Sequence, residues 1–425
     1  MELNIMRYNI GGGDNPEHHH ITRTDSAIPG WTKWNEGKRI FEYDYEADQN
    51  QLNVLEKCYK KAGEQAYVEA FSNSAPYYMT KSGCSSGGND PSVNNLKEES
   101  YEEFASYLAH VCSYLQNHLH IQVSSIAAMN EPNTDYWVAM SEKQEGCHFD
   151  IGTSQSRMLL ATEKAFRQSG LNRIEITASD ETSTDKQLLA CESYTEEAWK
   201  VIRRISTHTY GIEKRKEMGE YALTHGYNLW MSEADGSFVA GEHAGEMRAA
   251  LGFAQKIIDD INELSPSAWV MWQLIDNHIS RYGYNGNQDF GMPDTSEGYW
   301  GVAVADHDRE EIILTKKYYA FGQFTKYIHP GDQLILCGNH ALAAYAPGRK
   351  QINIVVINYS EKEENVKIDL SEFSMQEMDA KVIRTSGTLQ KGENWKICQP
   401  VKVKKGILEA ALKEYSITTF QCTFW

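Results

Sequence analysis

The sequence predicts a (β/α)8 barrel of the TIM type, short of its first strand, followed by a C-terminal antiparallel β-sandwich. Three observations predict it. Apolar runs of strand length alternate with helical patterns over the first three-quarters of the chain, and polar and aromatic residues gather just after those runs. From about residue 330, short strand-like segments follow one another with no long helix between them. Strands separated by helices make parallel βαβ units, and a barrel built of them carries its chemistry at the C-terminal ends of the strands.

The strand candidates are LNIMRYNI (3–10), AYVEAFSN (66–73), QVSSIAAMN (122–130), RIEITAS (173–179), RISTHTY (204–210), NLWMSE (228–233) and AWVMWQLI (268–275). Helical patterns lie between them. One runs through Tyr101, Phe104, Leu108, Val111 and Leu115, another through Met247, Leu251, Ala254, Ile258 and Ile261, with apolar residues every three or four positions. These are seven strands where a closed barrel needs eight, and the shortfall is at the N-terminus, since the first begins almost at Met1. The incomplete barrel is expected over 1–325 and the sandwich over 326–425, with TKKYYAFGQFTKYIHPG (315–331) as the helix leading into it. The sandwich reads as a buttress rather than a carbohydrate-binding module. A seven-strand sheet exposes two ladders of unpaired backbone groups, so a second copy of the chain is expected to cover the missing-strand side.

The formal net charge of −18 argues against nucleic acid or an anionic membrane as partner. Ten Trp and 24 Tyr fit an aromatic-lined site for a neutral ligand such as a sugar. The eight cysteines include no CxxC, so neither a zinc knot nor a redox pair is expected, and no cofactor is called for. Scattered free thiols favour a reducing compartment. With no basic segment leading into an apolar one, the chain as given reads as cytoplasmic; a natural start further upstream would make it secreted.

Two acids end apolar runs about a hundred residues apart: Glu131 in VSSIAAMNEP and Glu233 in YNLWMSEADG. Either alone is an ordinary strand-end acid. Together, with Asn130 before the first, they are the pair of carboxylates that cleavage of a glycosidic bond requires. The first strand ends in RYNIGGGDNPEHHH. Arg7 can orient a neighbouring carboxylate and keep it ionised. The glycine run permits a tight turn and close approach of a ligand; it lacks GK[ST] and GxGxxG spacing and is no phosphate loop. Asp14 is expected to point into the mouth. His18, His19 and His20 are consecutive and are read as polar rim rather than as metal ligands. Asn73 and Tyr78 follow the second strand, His208 and Tyr210 end the fifth, and Trp272 lies in the last, where it is equally a core residue.

RYNIGGGDNP, FSNSAPYYMTKSG, AAMNEPNTDYW with KQEGC following, WMSEADGS, SAWVMWQ and TKKYYAFGQFTKYIHPG together resemble glycoside hydrolase family 30, from the first residues to SITTF near the end. The resemblance implies a retaining β-glycosidase with a (β/α)8 barrel and a side β-sandwich. It implies Glu131 as general acid/base, Glu233 as nucleophile, and Asn130 as a contact to the hydroxyl next to the reacting carbon. Arg7, Asp14, Asn73, Tyr210 and Trp272 would line the innermost sugar subsite. The NEPNTDYW stretch is most similar to the branch with endo-β-1,6-galactanases. The segment that supplies the family's first strand has no counterpart here.

The leading expectation is therefore hydrolysis of a neutral β-linked sugar chain, first of β-1,6-galactan type, with Tyr77, Tyr78 and Trp137 as an aromatic mouth. The same chemistry on β-glucosides, β-xylosides or β-fucosides is the alternative, as is a carbohydrate-binding pseudo-enzyme impaired by the missing strand; a metal-dependent hydrolase using His18–His20 is the weakest. Retention requires the two carboxyl groups to lie about 5–5.5 Å apart. The neighbour's charge is expected to raise the pKa of Glu131, while Arg7 and Tyr210 hold Glu233 ionised.

Overall fold

The computed structural model describes residues 1–23, 26–235, 243–283, 290–373 and 377–423. It forms two compact units, one of Asn4–Glu233 with Pro266–Val270, the other of Met1–Leu3, Ala234–Ser265 and Met271–Trp425.

The first unit is built on a parallel sheet of seven strands in sequential order: β1 (Ile5–Asn9), β2 (Tyr67–Phe71), β3 (Val123–Ala127), β4 (Glu175–Ser183), β5 (Ile202–Gly211), β6 (Asn228–Ala234) and β7 (Ala268–Met271). Each falls on an apolar run read from the sequence. Pairing is parallel from β1 to β6, with Ile5 opposite Tyr67, Ser125 opposite Glu175 and Ile205 opposite Leu229. The sheet is a nearly closed barrel consistent with one missing strand, and among the described residues β1 and β7 are its ends. The helix Tyr101–Asn117 buries Phe104, Leu108, Val111 and Leu115 on one stripe and carries Glu102 and Glu103 in its first turn, where the helix dipole favours them. A short hairpin, Thr32–Asn35 with Ile40–Tyr43, stands between β1 and the helix Gln49–Ala62; its two four-residue strands give no long alternating signal.

The second unit holds a nine-stranded antiparallel assembly from Gln333–Ile335 to Ser416–Thr423. Its strand Met378–Ser386 changes partners midway. Met378–Ala380 pair with Val401–Val403 and Lys381–Ser386 pair with Ser416–Gln421, so one strand serves two layers. Ile352, Ile354, Val382, Leu408 and Phe420 fill the core between them. Short strands do follow one another through this region, Glu393–Ile397 among them. The helices Met247–Leu264 and Lys316–Thr325 pack in this unit, as does a small sheet of Ile275–Ile279, Ala303–Asp306 and Glu311–Leu314. A division at 325 follows the type of secondary structure; the compact units follow contact. No helix among the described residues is long and apolar enough to cross a membrane.

Candidate active site

The interior of the barrel is polar where a TIM barrel is usually aliphatic. Glu69, in the middle of the apolar run YVEAF of β2, is fully buried. Its Oε1 accepts from Arg7 Nε (3.1 Å), and its Oε2 from Ser125 Oγ (2.8 Å) and Arg204 Nη2. Arg204, 2% exposed, donates also to the Tyr67 hydroxyl (2.8 Å) and lies 3.5 Å over the Trp230 ring. A buried carboxylate between two guanidiniums is compensated on both oxygens, which burial of a charge requires.

Arg7 carries this network to the strand ends. Its Nη2 donates to Asp180 and its Nη1 to Glu233 Oε2 (2.8 Å). Asp180, inside β4, also accepts from Ser232 Oγ. Its backbone is left-handed (φ 67°), as is that of Glu131 (φ 47°), and the Glu131 N–H donates to the Asp180 carbonyl (2.8 Å). Two non-glycine residues in this sparsely populated region, tied to each other, mark a place where the fold holds side chains against local preference.

Glu131 and Glu233 come together here, each 7% exposed. One carboxylate oxygen of each and a ring nitrogen of His208 lie within 4.8 Å of one another. His208, fully buried, has Nδ1 3.2 Å from Glu131 Oε1 and 3.8 Å from Glu233 Oε1, and Nε2 3.3 Å from Asp180 Oδ1. Tyr210 donates to Glu233 Oε1 (3.0 Å) and Tyr136 to Glu131 Oε2 (2.5 Å). Such a trio is close enough for a cation, but Arg7, Tyr210 and Tyr136 already donate to the oxygens it would need, and Arg7 and His208 would repel it. The site is furnished for protons.

The charges decide where those protons sit. Burial pulls the His208 pKa down, but the carboxylates of Glu233, Asp180 and Glu131 outweigh it and push it well above the ordinary value. Burial raises Asp180 too, but Arg7, His208 and Ser232 hold it far below the carboxylate range. With His208 as imidazolium, three cations (Arg7, Arg204, His208) face four carboxylates (Glu69, Asp180, Glu131, Glu233). One proton shared by the coupled pair balances the cluster.

The two acids shift in directions contrary to expectation. Burial raises Glu131, but the hydrogen bond and charge of His208, then Tyr136 and Thr182, bring it below its usual value. Glu233 is raised by burial and by the charges of Glu131 and Asp180, beyond what His208 and Arg7 restore. The reason is distance: the single imidazolium stands nearer Glu131 than Glu233.

The remaining residues sort by placement. Asn130 is 4% exposed and its side-chain oxygen has no partner among the described residues, so a buried acceptor is left open beside Glu131. Asn73 is buried after β2. Trp137 is no part of an aromatic mouth. It is 4% exposed, donates its indole N–H to the Glu131 carbonyl (3.0 Å), and packs where a Cβ on Gly146 would fall 2.1 Å from it. Tyr78 is stacked face to face on Phe41 (3.5 Å, 12°) and its hydroxyl lies 3.1 Å from Thr32 Oγ1, so the hairpin covers one of its faces. Asp14 is engaged by its own loop, accepting from Asn15 N (2.8 Å) and pairing with His20 Nδ1 (2.7 Å). His20 in turn lies 2.9 Å from Cys84 Sγ, which places the one buried histidine of the triplet in a structural cluster. The glycine run is approached by the chain itself: a Cβ on Gly12 would fall 2.5 Å from the Ala75 carbonyl, and the Gly12 and Gly13 N–H groups donate to Glu145 Oε1 (3.0 and 2.9 Å). Trp272 belongs to the second unit, its N–H donating to the Ala234 carbonyl (3.0 Å). Gly236 and Ser237, which follow Glu233 in the sequence, lie outside the described residues.

Residues 1–177 match the family model described as O-Glycosyl hydrolase family 30. The chain is 27% identical over 434 residues to an endo-beta-1,6-galactanase of Hypocrea rufa, spanning 99% of this chain and 83% of that protein. It is 22% identical to an exo-beta-1,6-galactobiohydrolase of Bifidobacterium longum subsp. longum, over 88% of this chain and 30% of that protein. Among solved structures, the family 30 subfamily 8 xylanase of Clostridium acetobutylicum shares its fold, with a TM-score of 0.67 at 20% identity over 99% of this chain and 89% of that one. The barrel, the two strand-end acids and these similarities are those of an O-glycosyl hydrolase, and the first 177 residues match the family 30 model.

Proposed function

We propose that the protein hydrolyses β-1,6-galactan-type chains by double displacement, with Glu233 as nucleophile and Glu131 as acid/base. The observation that carries the mechanism is the closeness of the pair, one carboxylate oxygen of each lying within 4.8 Å of the other, which suits direct attack on the anomeric carbon rather than the wider gap of an inverting pair. Arg7 and Tyr210 donate to Glu233 and orient it; His208 and Tyr136 do the same for Glu131. In the first step Glu233 attacks C1 as Glu131 gives its proton to the departing oxygen. In the second, Glu131 takes a proton from water, which attacks C1 and releases Glu233. The open side-chain oxygen of Asn130 is placed to accept from the hydroxyl next to C1. The choice of galactan rests on the two relatives named for β-1,6-galactan chemistry. Covering of the β1 edge by a second copy belongs to the same proposal and is read by molar mass in solution.

The test is a pair of variants assayed on β-1,6-galactan and on aryl β-galactosides of graded leaving-group pKa. Glu233→Gln should abolish turnover on all of them. Glu131→Gln should spare substrates with good leaving groups, because they need little acid help. Equal loss on every leaving group would remove Glu131 from the acid role, and activity on xylan or β-1,6-glucan with none on galactan would overturn the substrate.

A further inference from the structure

We propose that Tyr136 is a displaceable cap on the acid/base: its phenol occupies the one oxygen of Glu131 that a substrate can reach, and yields it to the glycosidic oxygen when the sugar enters. The proposal rests on reading Glu131 as the acid/base.

The two oxygens of Glu131 are engaged by different kinds of donor. Oε1 faces the fully buried ring of His208 at 3.2 Å. Oε2 accepts from the hydroxyl of Tyr136, a residue 45% exposed. Each oxygen already holds one donor, and an incoming glycosidic oxygen at Oε2 would meet the phenol there. His208 is enclosed and lies against Asp180; Tyr136 is not enclosed. The backbone cannot swing the carboxyl elsewhere, since the Glu131 N–H is bound to the Asp180 carbonyl and the Glu131 carbonyl accepts from Thr134 Oγ1 and Trp137 Nε1, both at 3.0 Å. A second partner for the phenol is at hand, Thr182 Oγ1 at 3.4 Å.

Lifting the cap also changes how readily Glu131 takes up a proton. Glu131 is faced by His208, Glu233 and Asp180, with Arg7 and Tyr210 beyond Glu233, while Glu181 and Lys186 hold the following turn through Asn133. In the free enzyme the phenol donates to a carboxylate and so favours ionised Glu131. Losing that donor makes Glu131 easier to protonate, and a protonated carboxyl is what the acid step needs.

The experiment is kcat/KM against pH for Tyr136→Phe and the parent enzyme, on an aryl β-galactoside with a poor leaving group. Removing a donor to a charged acceptor makes Glu131 harder to ionise, so the alkaline limb should move up by about one pH unit. A limb that stays in place, in a variant whose thermal melting is unchanged, overturns the cap. Direct titration of 13C-labelled glutamate carboxyls in the same two proteins reads the shift independently of turnover: a higher Glu131 pKa in the variant supports the cap, and an unchanged one overturns it. A failure of the acid/base reading itself would show separately, as insensitivity of Glu131→Gln to the leaving group.

Discussion

Replacing His208 with Gln removes a buried cation from among Glu131, Asp180 and Glu233, which its ring meets at 3.2 to 3.8 Å. Breaking a buried ion pair by deleting one partner costs about 3–5 kcal/mol, against a total stability of roughly 5–15 kcal/mol. At about 2 °C per kcal/mol for a large domain, the melting temperature should fall by roughly 6–10 °C. The loss should depend on pH with a definite sign. The folded-state pKa of His208 is raised well above that of a free histidine by its three carboxylates, so its contribution is complete below about pH 6.5 and is lost as pH rises through the folded value. The gap between parent and variant should therefore be widest near pH 6 and narrow on the alkaline side. Differential scanning calorimetry from pH 5 to 9 measures it. A gap under 2 °C at pH 6, or one that widens with pH, would refute the imidazolium reading and the charge balance built on it.

Tyr210→Phe removes a 3.0 Å donor from the nucleophile. With a hydrogen bond to a charged group contributing about 1.5–3 kcal/mol, kcat/KM should fall by roughly 10- to 100-fold, and the acid limb of its pH profile should move up because Glu233 ionises less readily; an unmoved limb would contradict this. Glu69→Gln strips the shared carboxylate from Arg7 and Arg204. It should destabilise the protein by more than about 3 kcal/mol, read in urea unfolding, and a change below about 1 kcal/mol would show that the polar barrel interior is not a coupled cluster.

The seven strands were legible because parallel strands buried on both faces are continuous apolar runs, and each observed strand lies on its run. The acids were legible for the complementary reason: Glu131 and Glu233 follow such runs without a break. Their partners were not. Arg7 meets Glu233 across 226 residues, and no local pattern encodes which strand end faces which. The signal for Glu69 was present in YVEAF, a charge inside an apolar run, and for Arg204 at the head of RISTHTY; a buried charge requires a partner, and each is the other's. In NEPNTDYW the sequence singled out Trp137 for the mouth and passed over Tyr136, because neighbours in an irregular loop face different ways. Trp137 is buried against Gly146, and Tyr136 reaches the carboxyl.

The central claim is that Glu131 and Glu233 act as a retaining pair. Proton NMR of the first minutes of hydrolysis, before mutarotation, tests it most directly. With a β-linked galactoside, the account predicts that the β-anomer of the released sugar appears first and decays to the equilibrium mixture. Initial release of the α-anomer would mean a single displacement by water and would contradict the assignment of Glu233 as nucleophile.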